Sequence, residues 1–237
     1  MKKLNLSILA GISASAVLLA CASANATTIF SDNFNSENGG VSFLNYGTPN
    51  QSGNGGAGFL NTSFAKWTVT AGTVDLIGHS ATGFNSGGGT EYDLIPGNGL
   101  YVDLDGTTGN GAVPAGTITS TAIALGAGTY QLSFSLAGDQ RGGTANTQIS
   151  VLTGVVAPYV ITLGSSSPFT TYTVGFTLAS AQSVNLVFSD TDAADQMGAL
   201  LDNVVLTSVG VPDGGMTVGL LGMALVGMSL IRRQLAK

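Results

Sequence analysis

Thr129-Tyr130-Gln131-Leu132-Ser133-Phe134-Ser135-Leu136 alternates apolar and polar residues without a break. Successive side chains of an extended chain point to opposite faces, so Tyr130, Leu132, Phe134 and Leu136 share one face of a half-buried strand. Upstream, Thr117 to Ile123 is rich in β-branched residues, and Gly126 to Gly128 turns it into that strand. Gln148 to Leu152, Thr171 to Leu178, Val184 to Phe188 and Leu200 to Leu206 read as further strands downstream. Ile29 to Phe34, Phe64 to Thr70, Thr73 to Ile77 and Leu100 to Leu104 do so upstream. No stretch before residue 211 holds a 3.6-residue apolar period. Short strands with Gly-rich turns predict an all-β domain, a β-sandwich or jelly roll. Asn35 to Ser63 and Gly78 to Gly99 are Gly/Asn/Ser-rich and read as long loops.

The two ends differ in character from this middle. Met1-Lys2-Lys3 is a basic start, Leu4 to Ala20 is apolar and small, and Ala24-Asn25-Ala26 fits a cleavage site. Residues 1–26 therefore read as a secretory signal peptide. Leu18-Leu19-Ala20-Cys21 resembles a lipobox, although Leu19 stands where a smaller residue is usual. Cleavage after Ala26 is favoured, and it would remove Cys21, the chain's one cysteine. At the other end, Val211-Pro212-Asp213-Gly214-Gly215 is a turn signal. Gly214 to Ile231 follows without a charge and stops at Arg232 and Arg233. As a helix this run measures roughly 27 Å, near the lower limit for a hydrocarbon core of about 30 Å. The expectation is a C-terminal transmembrane helix over 211–237, its basic end inside and the domain at 27–210 outside.

In its order of motif, apolar helix and Arg-rich end, this tail resembles the PEP-CTERM class of exosortase substrates, in a VPDGG variant. The resemblance implies an exosortase-type processing enzyme as partner. It also implies a transient stay at the inner membrane, then the cell envelope, cell surface or extracellular matrix. A second resemblance runs through the middle. It is carried by Trp67-Thr68-Val69, Gly72-Thr73-Val74-Asp75-Leu76-Ile77, Gly99-Leu100-Tyr101-Val102-Asp103-Leu104-Asp105-Gly106, Ala127-Gly128-Thr129-Tyr130 and Leu201-Asp202-Asn203-Val204. In this order they look like the choice-of-anchor C type of exported domain, which implies a galactose-binding-like jelly roll in a carbohydrate-rich setting.

Charge narrows the function. The chain has seven basic residues, of which only Lys66 and Arg141 lie in 27–210, and thirteen acids, all but Asp213 in that range. Such a domain repels phosphate backbones, which excludes nucleic acid as a partner. With His79 the single histidine, in a Gly/Ser-rich loop, a transition-metal cluster or a nucleophile–histidine dyad lacks raw material. Glu91 and Asp93 are the acids beside the long loop, but solvated carboxylates explain them better than a glycosidase pair. No catalytic residue is assigned.

Calcium is the candidate cofactor, since hard cations take oxygen ligands. Asp190, Asp192 and Asp195 crowd six residues between two strands. Asp103-Leu104-Asp105-Gly106 begins like a calcium loop without continuing as one, so Asp103 and Asp105 read as outward-facing strand residues. The galactose-binding-like resemblance implies a calcium pinned between first and last strands, with Asp202 as the last-strand ligand. Asn35 then stands where a Glu is usual. For glycan contact the candidates are Tyr92 and Tyr101 as an aromatic platform and, separately, Arg141 in the turn after the Leu136 strand, with Trp67 assigned to the core. An ion pair of Arg141 with Asp139 is the simpler role for that arginine. The function expected is a non-catalytic, exported surface or matrix domain near polysaccharide. The alternatives are a dedicated carbohydrate-binding module and, behind it, a glycoside hydrolase.

Overall fold

The computed structural model describes residues 26–40, 44–47, 64–79, 93–107, 115–142, 154–192, 195–210 and 214–235. The chain divides into a sheet-bearing unit, Asn25–Gly210, and a terminal unit whose described part is one helix. The strands of the first unit are β1 (Thr27–Asp32), β2 (Leu44–Gly47), β3 (Trp67–Ala71), β4 (Thr73–Gly78), β5 (Leu100–Asp103) and β6 (Thr117–Ser120). They continue with β7 (Ile123–Leu125), β8 (Gly128–Ala137), β9 (Thr170–Leu178), β10 (Gln182–Val184), β11 (Val187–Ser189) and β12 (Leu200–Val209). A 3-10 turn, Glu37–Gly40, is the helical element described within this unit.

Seven strands form one antiparallel sheet in the order β2-β4-β5-β12-β8-β9, with β1 also paired to β12. The arrangement around β12 explains the branch. Leu200 and Leu201 pair with Asp103 and Val102 of β5. Val204 to Ser208 pair on that edge with Asp32 back to Thr27 of β1. Its other edge stays with β8 throughout. Between Asp202 and Val205, β12 advances three residues while β8 advances two, from Ser135 to Ser133. The extra residue is a β-bulge, and Asn203 takes it in a left-handed conformation, φ 50°, which Asn tolerates better than most residues. The bulge resets the alternation, so Leu201, Val204 and Leu206 all reach the core.

The facing sheet is β3-β6-β11, continued by the pair β7-β10. Ser120 bridges the break between these two pieces. Its hydroxyl accepts the Leu186 N–H at 2.8 Å, its own N–H donates to the Leu186 carbonyl, and its carbonyl accepts Asn185 Nδ2 at 2.7 Å. The sheets meet as a β-sandwich over a core that includes Phe30, Trp67, Ile118, Leu132, Phe134, Phe176 and Phe188. Phe134 meets Phe188 edge-on across the sandwich, ring centroids 5.1 Å apart, and Trp67 meets Phe30 at 5.4 Å and 90°. A smaller cluster of Ile77, Tyr101, Ala137 and Leu200 packs with Leu94, Ile95 and Phe169.

Several expectations change. The span Asn35–Ser63, read as loop, contains the 3-10 turn and β2. The first strand ends at Asp32, not Phe34, because Asp32 Oδ1 accepts the Phe34 N–H and folds the chain back with Phe34 at φ 54°. Phe64 lies in a turn ahead of β3, its N–H donated to the Trp67 carbonyl at 2.7 Å. The run Val184–Phe188 splits into β10 and β11 at the Ser120 bridge. Gln148–Leu152 and the motif residues Val211, Pro212 and Asp213 lie outside the described residues. Helix α1 (Gly214–Leu235) forms where expected, with Gly214 and Gly215 in its first turn and Arg232 and Arg233 in its last. Among the described residues, however, no helix is long and apolar enough to cross a membrane. Glycines and hydroxyls dilute the apolar content of α1, while Leu221, Met223, Leu225, Val226, Met228 and Ile231 are exposed.

The core makes a direct prediction. Phe134→Ala removes a side chain that touches both Tyr172 and Phe188, and should cost about 3–5 kcal/mol in denaturant unfolding. Thr173→Ala, on the exposed row of β9, should change stability by no more than about 0.5 kcal/mol. A loss at Phe134 no larger than that at Thr173 would contradict the sandwich core.

Candidate functional site

The acids that dominate the domain's charge are mostly buried, and they fall into two groups. The first gathers at the end of β5. Asp75 and Asp103 stand directly opposite each other on β4 and β5, a pairing that like charges disfavour. Arg141 relieves it. Its guanidinium reaches Asp103 Oδ2 at 2.6 Å, while its backbone N–H, not its side chain, goes to Asp139 Oδ1 at 2.6 Å. The ion pair expected with Asp139 is thus made with Asp103, which also withdraws Arg141 from a role as a free glycan donor. Asp103 Oδ1 accepts the N–H groups of Asp105 and Gly198 at 3.0 and 3.1 Å. Asp105 Oδ2 takes those of Asp195 and Gln196 at 2.8 and 2.7 Å.

Asp190 completes this group. Its two oxygens accept the N–H groups of Asp192 and Ala199 at 2.9 and 3.0 Å, and Asp195 Oδ1 accepts that of Met197 at 3.1 Å. Asp75 Oδ2 receives both the N–H and the hydroxyl of Thr107. The close fit leaves no room for a side chain at Gly198, whose Cβ would lie 2.2 Å from the Asp105 nitrogen. Burial raises the carboxyl pKa of Asp103 well above the usual range, with Arg141 opposing and Asp75 reinforcing. Burial lifts Asp105 as well, and Asp190 to about 6. Asp103 and Asp105, read as outward-facing, do leave the core, but the turns at 138–141 and 195–198 cover them.

The second group sits where β12 exchanges β5 for β1. Asp202 Oδ1 and Oδ2 accept the backbone and side-chain N–H groups of Asn203, at 2.6 and 2.9 Å. Asp32 Oδ2 accepts Trp67 Nε1 at 2.9 Å, and Glu37 accepts the Ala65 N–H with both oxygens. Burial, with the Asp32 charge adding to it, pushes the Asp202 carboxyl up to about 7. Burial also raises Glu37, partly offset by the Ala65 N–H. The first-strand residue whose charge Asp202 feels is therefore Asp32 rather than Asn35. Asn35 Oδ1 accepts the Leu100 N–H at 2.7 Å instead, packed against Gly99. Reading Ile29 to Phe34 as one strand hides the turn at Asp32 that makes this assignment.

Beside this group lies a polar cavity of about 360 Å³, bounded by Ser31 to Asn33, Ser36, Lys66, Asn203 and Val205. The Lys66 ammonium donates to the Ser31 carbonyl and lies 5.7 Å from the Phe30 ring centroid.

Calcium fits neither group well. Among the described residues, no three His, Cys, Asp or Glu side chains come together as a metal group. Most of the carboxylate oxygens already accept N–H groups of the chain, which a cation would have to displace. The aromatic platform fails for a similar reason. Tyr101 has no exposed surface, packs edge-on to Phe169, accepts the Leu94 and Ile95 N–H groups and donates to Asp93. Tyr92 and Glu91 lie outside the described residues. Trp67, 1% exposed, is in the core as expected, and Tyr159 is the exposed aromatic among the described residues at 41%.

No family model matches the chain, and no curated protein is similar to it. Solved structures show a loose likeness. The K3 cleaved adhesin domain of Lys-gingipain from Porphyromonas gingivalis is 13% identical, with 77% of this chain and 100% of that one covered, at a TM-score of 0.43. The CBM22-1 xylan-binding domain of Xyn10C from Paenibacillus barcinonensis is 12% identical, covering 80% and 99%, at 0.40. A family 35 carbohydrate-binding module from Clostridium thermocellum is 18% identical, covering 45% and 76%, at 0.31. At such scores the likeness carries no inference about what this chain binds.

The raised carboxyls set a pH dependence. An acid that holds its proton more tightly when folded stabilises fully below its unfolded pKa of about 4 and loses that contribution as pH climbs to its folded value. Asp190 and Asp202 therefore predict a melting temperature that falls between pH 4 and about 7. Asp202→Asn should flatten the upper part of this fall, measured by thermal unfolding in a chelator. A melting temperature that rises over the same interval would contradict the assignment.

Proposed function

We propose that this chain is an exported, non-catalytic β-sandwich, sorted through its C-terminal segment and displayed near polysaccharide in the cell envelope or extracellular matrix. The observation that carries the non-catalytic reading is the use of the buried acids. Asp32, Glu37, Asp75, Asp103, Asp105, Asp139, Asp190 and Asp202 each accept hydrogen bonds from the chain's own groups. Hydrolysis of a glycoside needs one carboxyl free to donate a proton and another free to attack or activate water. Among the described residues, the buried side-chain oxygens without a partner, Asp105 Oδ1 and Asp139 Oδ2, are closed to solvent.

Export rests on the sequence of both ends, and sorting on the motif Val211–Gly215 with the Arg232–Arg233 stop. The exposed apolar side chains of α1 supply affinity for a membrane surface on the way to an exosortase-type enzyme. Association with polysaccharide rests on the choice-of-anchor C resemblance and on a galactose-binding-like jelly roll. A dedicated module with an aromatic platform is less favoured, because the described exposed aromatics form no cluster.

The sorting step is tested with a tag after Lys237 in a host that carries an exosortase. Mature protein should lose the tag, while the Pro212→Ala/Asp213→Ala double variant should keep it and stay with the membrane fraction. Wild-type protein recovered with its tag would end the sorting proposal.

A further inference from the structure

We propose that the cavity beside the Asp202–Asn203 bulge binds one neutral sugar unit of a polysaccharide, an assignment that rests on the polysaccharide reading above. Its volume, about 360 Å³, is at the low end of the range of about 300–1,000 Å³ for small-molecule sites. That suits a single ring rather than a length of chain. Its walls are polar, with Asn33, Ser36 and Asn203 contributing amide and hydroxyl groups. Amides and hydroxyls both donate and accept, as vicinal sugar hydroxyls require. Val205 supplies one apolar wall for a C–H face.

Charge selects a neutral ligand. Asp32 and Lys66 line the same cavity, so their fields oppose each other across it. Each is also held by the protein itself, Asp32 by the Phe34 and Trp67 N–H groups and Lys66 by the Ser31 carbonyl. A uronate would meet the Asp32 carboxylate, and an amino sugar would meet the Lys66 ammonium. The walls are set before a ligand arrives. Asn203 is fixed in its left-handed conformation with two N–H groups on Asp202, and Asn33 Oδ1 accepts the Asn35 N–H at 3.3 Å. Groups already in place lose little entropy on binding.

The test is affinity electrophoresis of the full chain in gels containing a soluble galactan, xylan or mannan, with polygalacturonate as the anionic comparison. Wild-type protein should be retarded by at least one neutral polymer. Asn33→Ala/Ser36→Ala should weaken that retardation by about tenfold, roughly the loss of one or two hydrogen bonds. Val205→Phe, which fills the cavity from its apolar wall, should do the same, and Thr173→Ala on β9 should not. Melting curves identify any variant that fails to fold, and the other cavity variant then decides. Retardation that survives both cavity variants would overturn this site and leave the polysaccharide reading standing. Retardation by polygalacturonate alone would overturn the neutral ligand class. No retardation of wild-type protein by any polymer would overturn the polysaccharide reading and this site with it.

Discussion

The bulge at Asp202–Asn203 is the constraint on which the sandwich depends. One extra residue in β12 turns Val204 and Leu206 into the core after Leu201. The same bend lets the strand release β5 and take up β1 on one edge while keeping β8 on the other. The conformation is costly for most residues, since φ is positive at Asn203. Asp202 stabilises it by accepting both N–H groups of that residue. Without the bulge, strict alternation from Leu201 would send Val205 inward and Leu206 out. The first and last strands of the domain are joined at this point, and the polar cavity lies beside it.

The buried carboxylates answer a second problem. The chain contains 35 glycines and a single cysteine, Cys21, ahead of the domain. Its long turns therefore have no disulfide to hold them. Asp103 and Asp105 instead tie residues 195–198 to the end of β5 through the N–H groups of Asp195, Gln196 and Gly198, while Asp190 holds its own segment through those of Asp192 and Ala199. A carboxylate accepting two backbone N–H groups makes charge-assisted bonds, stronger than neutral ones. The penalty is burial of charge. It appears as raised pKa values, and at Asp103 it is met by one of the domain's two basic residues. An acidic composition that reads as solubility or metal binding is largely internal scaffolding.

The strands were legible where alternation is long and uninterrupted. β8 and β9 lie where period two puts them, and Trp67 is in the core as its strand context implies. β12 was located, but Leu-Leu-Asp-Asn-Val-Val-Leu fits either parity, so its bulge could not be read. The strand β2 was missed because Leu44–Gly47 is short and set among Gly and Asn. At the site, spacing pointed to Asp190, Asp192 and Asp195 but not to Asp105, which joins them from ninety residues earlier in the chain. Asn35 came only from the galactose-binding-like resemblance, with the first strand read through Phe34. The Asp32 turn ends it sooner. Tyr101 looked available beside a Gly-rich segment, yet Phe169 and the 93–95 turn cover it.

Native-state hydrogen exchange along β12 tests the role of the bulge most directly. If the strand joins both halves of the sheet as one unit, the amides of Leu201 and Leu206 should exchange only through global unfolding. Both should then show the same opening free energy, the highest in the domain. Leu201 opening locally together with β5, while Leu206 stays protected with β1 and β8, would show that the two halves are held independently and contradict that role.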